Sequence, residues 1–293
     1  MSNQNNIIYN KGFIFVGCSF TWGFGLGYYY KNFDKKKYWD NYGLKTPHYN
    51  ITKPHLMYQY SKRFSDLVAN HFKTFKIQPD SVSGSDVTST SWLKKIFKLN
   101  GNIYEKGINP FGLGYDLTNP DNTLSDYDVC IFQTSYVDRV GCYFYNQLRD
   151  EDNTYFSSHQ ELIDYWDYAE NNQKLKNNLE YELTNLAWEE VKSTCIQLEE
   201  KGVKVYFIHI DSRYDKINDT YLKERTIPIE YNNKEYLYLH NLIYENESSL
   251  IGFDYEYFGE DVPNDLHPNL KLHDSISKSI IKRLEYESNK TNN

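Results

Sequence analysis

Phe13-Ile14-Phe15-Val16-Gly17-Cys18-Ser19-Phe20-Thr21-Trp22-Gly23 is the stretch that decides the fold. Its first four residues form a short, continuous apolar run, the pattern of a strand buried on both faces, as in a parallel sheet. Gly17 ends the run, and small residues then carry a sharp turn toward a helix. Such a turn exposes Ser19 at the carboxyl edge of the sheet, where open α/β sheets bind ligands. The helix beginning there aims free backbone N–H groups and a positive dipole end at that edge. A serine held so suits nucleophilic attack on an ester; the plainer alternative is a helix N-cap, for which Ser and Thr are favoured.

Working outward, Leu56, Tyr60, Phe64, Leu67, Val68 and Phe72 recur at helical spacing and predict one helix over 56–72. Beyond Gly84, Val87 to Leu99 reads as another helix, with Trp92, Leu93 and Phe97 on one face. Tyr127-Asp128-Val129-Cys130-Ile131-Phe132 predicts a second buried strand. A polar, aromatic region follows from about Leu148 to Glu200, and Leu175 to Leu198 reads as a long amphipathic helix. Lys201-Gly202 stops it before a third strand, Val203 to Ile208. Leu272, Ile276, Ile280, Ile281 and Leu284 place a last helix over 270–284, with a polar, frayed tail over 286–293. Strands alternating with helices imply an α/β fold, a three-layer α/β/α sandwich around a central, mostly parallel sheet of about five strands. Neither a repeat nor a Pro/Gly-rich linker interrupts it, so residues 1–285 are expected to form one domain. Aromatic-rich insertions fall at about 27–54 and 141–175, the first long enough to be a cap over a site.

The composition bounds the function. The chain has 293 residues, 32 Lys and Arg against 40 Asp and Glu, and a formal net charge of −8. Phosphate binding needs concentrated basic charge, so a nucleic-acid partner is not expected. The compact run Lys35-Lys36-Lys37 reads as a solvated face. Tyrosine is in surplus, at 29 residues beside 16 Phe and 5 Trp. That surplus fits an AT-rich coding bias, and equally a surface on which flat rings stack against sugars. Cys18, Cys130, Cys142 and Cys195 show neither CxxC nor zinc-like spacing, so a reduced protein is expected. The polar first ten residues lack the apolar segment of a signal peptide, and no stretch has the length of a membrane span. A soluble, cytoplasmic protein, or one packaged by another route, is the expectation.

The second chemical motif lies near the other end. Asp265-Leu266-His267-Pro268-Asn269 occupies a polar stretch before the last helix. A nucleophilic serine needs a base, and the base needs an orienting carboxylate. Asp265 and His267 supply both types two residues apart.

Gly17-Cys18-Ser19-Phe20-Thr21-Trp22-Gly23 resembles block I of the SGNH (GDSL-like) hydrolases, usually Gly-Asp-Ser-x-x-x-Gly, and Asp265 to Asn269 resembles their block V. The form Gly-Cys-Ser-Phe-Thr-Trp-Gly is most like the SGNH-like proteins of viruses and phages. Val82-Ser83-Gly84-Ser85 is similar to block II, whose Gly gives a backbone N–H to the oxyanion. Ile131-Phe132-Gln133-Thr134-Ser135 lies where block III is expected. The resemblance implies an SGNH/flavodoxin-like fold and a serine esterase or O-deacetylase acting on small or glycan esters. Ser19, His267 and Asp265 would form the triad, with Ser19, Gly84, Ser135 and Gln133 as oxyanion donors and no cofactor or metal. It equally fits a sugar O-acyltransferase with the same triad, or a catalytically weak glycan-binding, protein-binding or virion component.

This chain departs from the pattern in three places. Cys18 replaces the usual block I Asp, which is not the nucleophile. Ser135 stands where block III carries an Asn donor, so its hydroxyl or the Gln133 amide would substitute. Block V more often spaces Asp and His three apart, which puts Asn264 in the Asp position; Asp265 with a tighter turn is preferred, and both spacings stay open. Asp86, Trp22 and Arg139 are candidates for substrate contact. For Asp86 the alternative is an acid suited to a helix N-terminus, and for Asp138-Arg139 it is an ion pair. His209 and Asp211, at the end of the third strand, either belong to the site or satisfy loops. His273 lies six residues after His267, a spacing that does not put two ligands on one helical face.

Overall fold

The computed structural model describes residues 9–18, 21, 53–78, 85–104, 123–250 and 268–291. Four parallel strands form the central sheet in the order β2-β1-β3-β4: β1 (Gly12–Val16), β2 (Lys76–Ile77), β3 (Tyr127–Thr134) and β4 (Lys204–His209). The registers Ile14↔Ile77, Val16↔Phe132 and Thr134↔His209 align their carboxyl ends along one edge. Strand order reverses between β1 and β3, because the chain passes from β1 outward to β2 and then back across to β3. A reversal of this kind opens a crevice at the carboxyl edge.

The continuous apolar runs are explained by burial on two faces. Phe13, Phe15, Val129, Ile131, Tyr206 and Ile208 join a core with α2 (Phe64–His71) and α9 (Leu270–Thr291). Their neighbours Ile14, Val16, Cys130, Phe132, Val205 and Phe207 join a second core with α3 (Asp86–Phe97) and α6 (Gln173–Glu200). Helices thus cover both faces, and the alternation follows the two-residue period of a strand.

The sheet has four strands among the described residues, where about five were expected. Beyond β4 the chain makes single parallel bridges, Phe207↔Thr226 and His209↔Tyr238, to the outer side of that strand. Between these bridges it turns aside into an antiparallel hairpin, β5 (Ile229–Tyr231) and β6 (Lys234–Tyr236). Asn232 and Asn233 carry φ of 50° and 62°, the left-handed conformation that a two-residue hairpin turn requires.

The helix expected over 56–72 is two helices, α1 (Lys53–Lys62) and α2. Arg63 separates them with extended backbone, φ −68° and ψ 146°, and its guanidinium lies over the Tyr60 ring while pairing with Asp66. The region from 141 to 175 holds α4 (Gly141–Phe144) and α5 (His159–Ala169), the latter capped by Ser158. After β4 come α7 (Thr220–Arg225) and α8 (Leu239–Leu250). The last helix continues to Thr291 rather than fraying after Leu284. Tyr9 holds that extension, its hydroxyl donating to the Leu284 carbonyl at 3.2 Å and lying 3.0 Å from Ser288 Oγ. The four cysteines are free thiols. No helix among the described residues is long and apolar enough to cross a membrane.

Candidate functional site

The turn after β1 is built around one buried amide. A Cβ on Gly17 would lie 2.3 Å from Thr21 Oγ1 and 2.7 Å from Gln133 Cβ, so only glycine lets β1 run this close to the end of β3. Thr21 Oγ1 donates to Gln133 Oε1 at 2.5 Å, and Gln133 Nε2 donates to Cys18 Sγ at 3.2 Å. Cys18 and Thr21, on either side of Ser19-Phe20, are therefore both tied to Gln133, which is itself buried. Gln133 was expected among the oxyanion donors; here its oxygen and one N–H brace the turn.

A second polar cluster joins the segments that follow β2, β3 and β4. Ser85 and Thr88 form a capping box at the start of α3, with Thr88 N–H donating to Ser85 Oγ at 3.2 Å and Ser85 N–H to Thr88 Oγ1 at 3.1 Å. Asp86, the next residue, is wholly buried. Its Oδ1 accepts the Ser135 N–H at 2.7 Å, and its Oδ2 accepts the Tyr214 hydroxyl at 2.5 Å. Burial pushes its carboxyl up to about 7, against the lowering effect of the Tyr214 and Ser135 hydrogen bonds. Both oxygens face protein donors, which makes Asp86 a tie between loops in this structure.

Asp211 adds a parallel tie. It accepts the Val137 N–H at 3.0 Å and the Arg213 N–H at 2.9 Å, and pairs with the Arg213 guanidinium. Burial raises its carboxyl, but these partners outweigh burial and hold it below the usual range. Arg139 is exposed and reaches Ser135 Oγ at 3.4 Å from Nη1, with its guanidinium 5.6 Å from the Tyr136 ring centre.

His209 is sealed between β3 and the chain beyond β4. Thr226 gives its hydroxyl proton to the Leu222 carbonyl, so Thr226 Oγ1 accepts from His209 Nε2 at 3.0 Å. Nδ1, 3.0 Å from Thr134 Oγ1, is then the acceptor of that hydroxyl. Burial lowers the imidazole pKa to about 3, so the ring stays neutral and structural. His273 is likewise internal: Nδ1 accepts the Phe64 N–H at 3.2 Å and the ring stacks on Phe64.

Helix α9 carries the C-terminal motif's flank to the same edge. Near its C-terminal end it meets Tyr9, which precedes β1, and His71 pairs with Glu285 at 2.9 Å at the end of α2. Near its start it meets Phe64, the first residue of α2. Helix α9 therefore runs antiparallel to β1, and its first turn lies at the carboxyl edge. Asn269 fixes that first turn, with Oδ1 accepting from Lys271 N–H at 2.9 Å and Leu272 N–H at 3.2 Å. Its own N–H and Nδ2 donate to the carbonyls of Leu250 and Ser249.

Ser19, Trp22, Gly84, Asp265 and His267 lie outside the described residues. The structure brings Gln133, Ser135 and Asp86 together with Cys18 and Thr21 at one edge. Sequence reading missed Tyr214, whose partner Asp86 is 128 positions away. It missed Thr21 and Asn269 too, although Asn269 directly before an apolar-periodic helix is an N-cap signal. Comparisons with protein-family models, with curated proteins and with solved structures give no match to this chain.

Proposed function

We propose that the protein is an SGNH-type ester hydrolase, with a five-stranded, three-layer form of the fold going with that reading. The observation that carries it is convergence. Cys18 and Thr21, flanking Ser19, and Pro268 and Asn269, following His267, come from opposite ends of the chain to the carboxyl edge where strand order reverses. That is the edge at which open α/β sheets bind ligands.

In the proposed mechanism His267 removes the Ser19 proton as Oγ attacks the ester carbonyl, and Asp265 orients the imidazole and stabilises its cation. The backbone N–H groups of Ser19 and Gly84 and the Ser135 hydroxyl hold the oxyanion. His267 then protonates the leaving alcohol, and water releases the acid from the acyl-enzyme.

A carbohydrate ester is the favoured substrate class. A cavity of about 200 Å³ between α4, α5 and α6 has His159, Trp166 and Asp167 in its wall, an aromatic face beside polar groups. It adjoins α4, which follows directly on the loop after β3.

Hydrolysis of p-nitrophenyl acetate and butyrate, measured beside Ser19→Ala, tests the proposal. Turnover that disappears in the variant, with fluorophosphonate labelling confined to the Ser19 peptide, is the expected result. Equal turnover in both folded proteins, with no labelling of Ser19, overturns it.

A further inference from the structure

We propose that Asp86 is the positioning residue of the oxyanion side of this edge, holding Ser135 through its backbone N–H while Tyr214 holds Asp86. The inference rests on the hydrolase reading above and assigns a role that the triad does not include. Ser135 is the first residue beyond β3, and β3 is the strand against which the Gly17 turn is packed. Where this residue sits decides whether its hydroxyl can reach an oxyanion formed beside β1.

The connections are specific. Asp86 belongs to the segment following β2, Ser135 to the one following β3 and Tyr214 to the one following β4. Above about pH 7 the Asp86 carboxylate is ionised, has no proton to give and accepts at both oxygens, so one side chain can take donors from two different loops. Here it does so at 2.7 Å and 2.5 Å, fully buried. Asp211, two residues along at Val137, ties the same β3 loop to the β4 loop a second time. With Val137 anchored independently, losing Asp86 releases Ser135 and leaves the rest of the loop in place. Both Asp86 oxygens point at protein donors, which argues against direct substrate contact. Buried groups packed around them also argue against a stray helix-end acid.

The test uses the full chain, four substitutions at three positions and one double variant. In Asp86→Ala the kcat for p-nitrophenyl acetate is expected to fall by about 10², the loss typical of one misplaced oxyanion donor. The KM should stay within about threefold, because substrate binding in the ground state is untouched. Asp86→Asn keeps an acceptor for the Ser135 N–H and should recover most of the lost rate. Ser135→Ala should lose a similar factor, and the double variant with Asp86→Ala should be no worse than either single one, because both act through the same hydroxyl. Tyr214→Phe, which removes only the outer donor, guards against a failure of Asp86→Ala to fold and should lower kcat by a few-fold with the same KM. Multiplicative losses in the double variant, or full activity in both Asp86→Ala and Tyr214→Phe, overturn the inference while leaving the hydrolase reading intact. A parent protein that neither turns over ester nor labels at Ser19 overturns both.

Discussion

Two buried groups contribute opposite pH dependences to the stability of this protein. Burial pushes the Asp86 carboxyl from an ordinary 3.8 up to about 7, and pulls the His209 imidazole from 6.5 down to about 3. A group whose proton occupancy differs between folded and unfolded chains contributes a slope of about 1.4 kcal/mol per pH unit. Asp86 is protonated in the folded state and ionised in the unfolded state between its two values. Its stabilising contribution is therefore complete below its ordinary pKa and is lost as pH rises through about 7. His209 behaves oppositely: the unfolded chain binds its proton first, so its contribution is complete above 6.5 and is lost as pH falls toward 3. Over the shared window, from about pH 4 to about 6.5, the two slopes cancel.

Asp86→Asn removes one of the two slopes. The amide oxygen still accepts the Ser135 N–H, and its NH₂ can donate to the Tyr214 oxygen. Asp211, held below the usual carboxylate range by Arg213, keeps its charge over the window, so His209 dominates what is left. Unfolding free energy of the variant should then rise by about 1.4 kcal/mol from about pH 5 to about pH 6, while the parent stays flat from this pair. Urea titrations followed by tryptophan fluorescence at half-unit pH steps measure both curves. Taking the difference between the proteins removes every other titrating group. Parallel curves for parent and variant would refute the assignment of the folded-state proton to Asp86.

Two further outcomes follow from packing. Gly17→Ala forces a Cβ to within 2.3 Å of Thr21 Oγ1, so overpacking should cost about 1–3 kcal/mol and abolish fluorophosphonate reactivity; unchanged denaturation midpoint and labelling would show the turn to be slack. Lys94 is buried and ion-paired to Glu190, with a further bond to the Asn102 carbonyl at 3.1 Å. Lys94→Met strands the Glu190 carboxylate and should cost about 3–5 kcal/mol in denaturant unfolding, with part recovered by adding Glu190→Gln; equal stability of the single and double variants would exclude this account.

The strands β1, β3 and β4 were legible because burial on both faces writes a continuous apolar run into each. Strand β2 was not, because Lys76 and Ile77 alone pair with β1 and two residues carry no period. The Arg63 break was hidden because the apolar positions keep one phase across it, and the interruption is imposed by backbone at one residue. The run to Thr291 depends on Tyr9, a partner 275 positions from Leu284, which no local pattern announces. At the site, Ser135 and Gln133 were legible as positions at the end of a strand. Their roles were not, because each is set by the side chain it meets: Thr21 and Cys18 for Gln133, and Asp86 for the Ser135 backbone.

Asp86 also gauges the electrostatics of the carboxyl edge. It stands in the first turn of α3, where a helix end stabilises an acid by about 0.3–1 kcal/mol. A rise from 3.8 to about 7 corresponds to about 4 kcal/mol against the charged form. Burial therefore exceeds the helix end several-fold, even with Arg139 acting in the same direction as the dipole. The helix dipole accordingly fails to explain an acid at this position, and the bonds to Ser135 and Tyr214 succeed. The same magnitudes bear on catalysis. Under the proposed hydrolase function, an oxyanion formed in surroundings as dry as those of Asp86 would not be held by the diffuse field of the helix ends. It needs donors in direct contact, so the placement of Ser135 by a single buried carboxylate is where a small displacement should cost the most rate.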